Sequence, residues 1–193
     1  MVIDPGTGAY YPDAPLRNWL ASRAAHNGPA WPGSQPVRAG PFLWKGFHGR
    51  PNVVEERAGG VNAGFHDIGG RANRTIYRVE KPLRGGWVVD EKVFTTDPDS
   101  AFNVLWQFAP GTECEIIESR RFRIMRRNKV VEIRVSSDWE AVDLVATEPA
   151  RKAGEFEGTV SLRFRTTKWA PYLKLTGRAG AKPCLFTTTF LTL

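Results

Sequence analysis

Between Glu115 and Val135 the chain alternates in polarity, and this stretch constrains the fold more than any other. Phe122 and Ile124 interleave with Arg121 and Arg123. Arg126-Arg127-Asn128-Lys129 then reads as a turn, and Val131, Ile133 and Val135 interleave with Glu132 and Arg134 on the return. Successive side chains of a strand point to opposite faces, so a period of two puts the apolar set on one face and the charges on the other. A β-hairpin with one buried and one wet face is predicted.

Similar runs recur at 52–57, 74–79, 86–94, 103–108, 159–165, 172–176 and 185–193, each bounded by turn residues. In 159–165, Val160, Leu162 and Phe164 are expected to face inward. Short strands at close, regular spacing with almost no helix predict an all-β, antiparallel β-sandwich. One short helix is expected near the N-terminus. Asp13 can cap it, Pro15 suits its first turn, and Leu16, Trp19, Leu20 and Arg23 recur at helical spacing. Gly28 and Pro29 stop it. With 193 residues and no low-complexity linker or internal repeat, a single domain over 1–193 is expected. A chain of that size buries roughly 70% of its unfolded surface.

The formal charge is +7, which attracts polyanions such as acidic polysaccharide or nucleic acid. Seven basic residues lie between Arg120 and Arg134. Stacking on nucleic-acid bases needs aromatics on the same face as the cations. Phe122 alternates to the opposite face, which argues against nucleic acid. Cys114 and Cys184 have no metal-ligand spacing and are either one disulfide or two free thiols. No apolar run approaches the ~18 residues of a membrane span, and no signal-peptide pattern opens the chain. Val2-Ile3-Asp4-Pro5-Gly6 reads as a strand end running into a turn, which suggests a fragment of a longer protein.

Reactive side chains concentrate near one end. Tyr10, Tyr11, Arg17, His26 and Asn27 fall within about twenty residues, with Trp31 and Gln35 close behind. His48 sits in a glycine-flanked loop and reads as solvated.

Several motifs, taken in order, resemble the heparinase II/III-like family. They are VIDPGTGAYY (2–11), RNWLASRAAHN (17–27), Gln35, GPFLWKG (40–46), AGFHDIGG (63–70), RTIYRVEKP (74–82), WVVDEKV (87–93) and LWQFAPGT (105–112). The closing stretch from Gly158 to Phe190 is similar to the family's terminal strands. The resemblance spans essentially the whole chain.

The resemblance implies the C-terminal β-sandwich of a polysaccharide lyase, whose N-terminal helical toroid, carrying the main catalytic Tyr and His, is absent here. The implied substrates are uronate-containing polymers, glycosaminoglycan or alginate, cleaved by β-elimination. A base takes the C5 proton beside the uronate carboxylate, and donors aimed at that carboxylate stabilise the enolate-like state. On this reading His26 is catalytic, and Tyr10, Tyr11, Arg17, Asn27, Trp31 and Gln35 contact substrate. A zinc ion is implied on His26 with His66 or Asp67. Gln107 departs from the pattern, standing where the family's further histidine ligand is expected, and glutamine is a poor zinc ligand. Partners would be acidic polysaccharide and the toroid, with no membrane; the family is often periplasmic or secreted. Two other readings stay open: a carbohydrate-binding or structural sandwich without chemistry, and a basic polyanion-binding module.

Overall fold

The computed structural model describes residues 1–6, 8, 14–32, 37–38, 44–45, 52–57, 60–67, 69–81, 84–95, 97, 100–150, 152–163 and 165–193; side chains at 37–38, 44–45, 52–57, 65–67, 81 and 84 lie outside that description. Helix α1 (Ala14–Leu20) leads into a 3-10 turn at Arg23–Ala25. The strands that follow are β1 (Pro29–Ala30), β2 (Val37–Arg38), β3 (Trp44–Lys45), β4 (Asn52–Arg57), β5 (Gly60–Asp67), β6 (Gly70–Lys81), β7 (Arg84–Thr95) and β8 (Ala101–Gln107). Next come β9 (Glu113–Glu118), β10 (Arg121–Arg126), β11 (Lys129–Val135), β12 (Ala141–Val145), β13 (Thr159–Arg163), β14 (Thr166–Trp169), β15 (Tyr172–Arg178) and β16 (Cys184–Thr192). The helix is shorter than its apolar spacing implied. It closes at Leu20, and His26 caps the 3-10 turn through its backbone N–H to the Arg23 carbonyl.

The fold is an antiparallel β-sandwich. Among the described residues, a large sheet runs β4-β5-β6-β7-β16-β11-β10-β9 and a small one β1-β8-β15-β12. The hairpin forms with the register its alternation implied: Phe122 faces Ile133 and Ile124 faces Val131. All four apolar residues point to the core, and Phe122, Ile124 and Ile133 are fully buried there. Phe102 and Leu175 of the small sheet meet Val93, Phe122 and Phe186 of the large one, with Trp31 and Trp139 packed beside them. The Phe102 ring lies 5.0 Å from Phe186 and 5.6 Å from Trp139. Tilted and edge-on aromatic pairs of this kind add about 0.5–1.5 kcal/mol each beyond their buried area. Gly177 allows this packing, because a Cβ there would stand 2.7 Å from Phe102 and 2.9 Å from Phe186.

The expectation for residues 159–165 is overturned at Leu162. The β13–β14 pairing shifts register between Val160 and Arg163. The shift breaks the alternation, so Ser161 is buried while Leu162 is 59% exposed. Phe164 lies outside the described residues. Cys114 and Cys184 are both free thiols.

Three arginines of the basic hairpin are ion-paired. Arg123 pairs with Glu115 at 2.9 Å and Arg121 with Glu132 at 2.9 Å. Arg134 reaches Glu132 at 2.7 Å. Arg120 donates to the Ser136 and Trp139 carbonyls, and Arg126 to the Pro110 carbonyl. Ion pairing makes the charges of Arg121, Arg123 and Arg134 less available to a polyanion, which weakens the charge-driven binding reading in part. Arg120 and Arg126 keep their charge, because a carbonyl does not neutralise a cation.

Candidate functional site

The N-terminal segment binds the edge of the small sheet. Val2 bridges Phe108, and Ile3 N donates to the Gln107 carbonyl at 2.9 Å. The chain then turns at Pro5-Gly6. Gly6 has φ +77, and a Cβ there would stand 2.1 Å from the Ser161 carbonyl oxygen; only glycine fits both the conformation and the space. This turn presents Asp4 to the end of the 3-10 turn, where His26 emerges.

His26 Nδ1 lies 2.6 Å from Asp4 Oδ2. Asp4 Oδ1 accepts from the Gly6 backbone N–H at 2.9 Å, which fixes the carboxylate. A carboxylate on Nδ1 favours the tautomer protonated there and leaves the lone pair on Nε2. The side chains are 38% and 64% exposed, so the pair can meet a solute. The contact fixes the imidazole's orientation at the protein surface.

Asn27 serves the main chain. Its Nδ2 donates to the Ile3 carbonyl at 2.7 Å, and its Oδ1 accepts from Gln107 N at 2.7 Å. Its own carbonyl accepts from Arg74. Arg74 reaches this point from β6, donates through Nε to Glu91 Oε1 at 2.6 Å, and lies 5.0 Å from the centre of the Trp106 ring. Such cation–π contacts contribute about 0.5–2 kcal/mol. Glu91 is 1% exposed and its Oε2 has no hydrogen-bond partner. Burial raises its pKa above the usual carboxylate value, with Arg74 opposing that shift. Glu91, Arg74 and the Asn27 carbonyl thus form one connected polar chain from the sandwich interior to the residue that follows His26; the imidazole itself bonds only to Asp4 among the described residues.

The other expected site residues are placed differently. Arg17 stands in α1 and is partly buried. Trp31 is 1% exposed and packs against Phe102 in the core. Tyr10, Tyr11, Gln35 and His48 lie outside the described residues. His66 and Asp67 stand in β5 opposite Arg71 and Gly70; their side chains are outside the description.

Of the implied zinc ligands, His26 pairs with Asp4, and the side chains of His66 and Asp67 lie outside the described residues. Gln107 is 1% exposed. Its Nε2 donates to the carbonyls of Phe108, Ala170 and Pro171 at 3.2, 3.2 and 3.0 Å. The expected third-ligand position therefore carries a main-chain clamp. Among the described residues no three His, Cys, Asp or Glu side chains converge.

Asp4, Arg74 and Glu91 escaped the sequence reading. A signal for Glu91 exists: it shares strand parity with Val89 and Val93, both buried, so a carboxylate stands on the core face and requires a partner.

No family model matches the chain, and no curated protein matches it. Solved structures do. Superposition on heparan sulfate lyase HepC from Pedobacter heparinus gives a TM-score of 0.68 at 14% identity, covering 99% of this chain and 28% of that one. A crystal structure of heparinase III gives 0.63 at 12% identity, covering 98% and 27%. A further heparinase III gene product gives 0.66 at 11%, covering 98% and 28%. The fold is one found in heparinase III. At these identities the likeness is one of architecture, and the chain spans little more than a quarter of the heparinases it matches.

Proposed function

We propose that this chain is the sandwich part of a polysaccharide lyase acting on uronate-containing acidic polysaccharide. The observation that carries the reading is the Asp4–His26 pair, half-exposed on a fold shared with a heparan sulfate lyase. Asp4 orients the imidazole, and Nε2 is the nitrogen that exchanges a proton with the sugar. In β-elimination the C5 proton leaves to a base, the C5 electron pair forms the C4–C5 double bond, and the C4 oxygen departs with a proton. His26 takes part in one of these transfers, and the toroid of the longer protein supplies the main base. Arg74 and Asn27 hold the His26 loop in place rather than touch the sugar, since both are engaged with protein groups.

Metal has no assigned part, because Gln107 is engaged with the backbone. The chain by itself is a binding wall and turns over poorly. The test is to incubate it with heparan sulfate, heparin and alginate while following ultraviolet absorbance of the C4–C5 double bond, and to measure binding in parallel. Expected are saturable binding weakened by His26→Ala and negligible unsaturated product. Efficient turnover would overturn the accessory role, and binding indifferent to His26 would overturn the assignment of His26.

A further inference from the structure

The outer face of the small sheet carries a second candidate site, built from side chains other than Asp4 and His26. Tyr172 and Lys174 alternate with the core residues Leu173 and Leu175 on β15, and so face outward. Two adjoining cavities of about 430 and 210 Å³ open beside them, bordered by Trp19 of α1 and, for the larger, by Pro149 and residues 154–157. The larger lies within the range of small-ligand sites. Both cavities are bordered by Trp19, Glu157 and Lys174.

The chemistry here is specific. Glu157 Oε1 accepts from Lys174 Nζ at 2.7 Å, and Oε2 accepts from the Tyr172 hydroxyl at 3.2 Å. These two bonds fix the carboxylate, yet each oxygen keeps a lone pair and the ammonium keeps two protons. Glu157 and Lys174 are 36% and 31% exposed, so the unused valences are accessible. An acceptor and a donor held side by side match two neighbouring hydroxyls of a sugar, one donating and one accepting. Trp19 and Phe156 are both partly exposed beside this pair. Flat apolar rings suit the C–H face of a pyranose.

Local charge sets the ligand class. Glu155 and Glu157 outnumber Lys174 at the groove, which repels uronate and sulfate. We propose that this groove binds an uncharged pyranose disaccharide, with Trp19 as the stacking platform and the Glu157–Lys174 pair as the hydroxyl reader. The site is separable from the lyase reading, because its reading groups, Trp19, Glu157 and Lys174, are neither Asp4 nor His26 and it disfavours the anionic sugar that reading requires.

Saturation-transfer NMR on the full chain tests this with cellobiose and N,N′-diacetylchitobiose as probes and glucuronate as the charged comparator. Expected is saturable binding of at least one neutral disaccharide, with glucuronate at least tenfold weaker. Trp19→Ala and Glu157→Gln should each weaken binding at least tenfold. Glu157→Gln preserves shape, so it remains informative if Trp19→Ala fails to fold. Absence of saturable binding by both neutral probes, preference for glucuronate, or unchanged affinity in Glu157→Gln would each overturn the proposal.

Discussion

Glu91 and Glu132 lie on the same sheet with one strand between them, and each is 1% exposed. Their proton affinities move in opposite directions. Glu132 faces outward and is covered by Arg121 and Arg134, which donate to its two oxygens. Hydrogen bonding from Arg121 leads in pushing its pKa down to about 2. Glu91 faces inward, meets Arg74 alone, and keeps one oxygen without a partner; burial pushes its pKa up. Two cations on the outer face hold a carboxylate ionised, whereas one cation in the sandwich interior does not offset desolvation. The first is a brace for a hairpin. The second anchors Arg74, which holds the Asn27 carbonyl next to His26.

The largest effect should come from breaking the inner pair. Arg74→Met leaves Glu91 buried without its cation and should cost on the order of 3–5 kcal/mol near neutral pH, read from urea unfolding. A loss under about 1 kcal/mol would mean that the interior tolerates the lone carboxyl. Glu132→Gln should cost less, about 2 kcal/mol for the charge-assisted bonds it loses.

The pH dependence separates the two carboxylates further. The stabilisation from Glu132 is complete above about pH 4.5 and is lost as pH falls toward about 2. Glu132→Gln should therefore flatten the acid limb of a stability profile. Glu91 has the opposite sign: its contribution is complete below about 4.5 and declines as pH rises through its raised folded value. Glu91→Gln should flatten that decline. Matching slopes in the two variants would erase the contrast.

His26→Ala should cost under about 1 kcal/mol, since it removes only an exposed pair, while weakening polysaccharide binding. A large loss of stability would make the pair a structural clasp. Cys114 tests burial without any cation. Desolvation alone pushes its thiol up to about 11. At pH 8 it should alkylate roughly 100-fold more slowly than in the unfolded chain, because two pKa units remove that much thiolate. Equal rates in the native and unfolded chain would show that the inner face is wet.

Much of the fold was legible because alternation is a local signal. Strand β4 falls where its residues implied, and β10 and β11 pair as their alternation required. Strand β5 was not legible: its glycines and Asn62 read as turn residues, and pairing with β6 along its whole length makes it a strand. Strands β6 and β7 run to 12 residues each, beyond their apolar centres, because each extends the ladder of its neighbour. The site was half legible. His26 stood out as a titratable group, but Asp4 lies 22 residues away from it and Arg74 lies 17 from Glu91. No spacing rule joins pairs whose proximity depends on the turn at Gly6 and on sheet register.

The bond from Ser161 N to the Pro5 carbonyl, at 2.7 Å, sets an order of events during synthesis. The turn that presents Asp4 is held by a residue made more than 150 positions later. Contacts so distant in sequence form slowly, because a long loop must close first. While the chain is still on the ribosome, Asp4 and His26 have both been made, but the support for their turn has not. The oriented histidine is therefore expected to mature late, together with β15 and β16, which are made after Ser161 and complete the two sheets, and a chain ending before residue 158 should retain His26 without holding it in register.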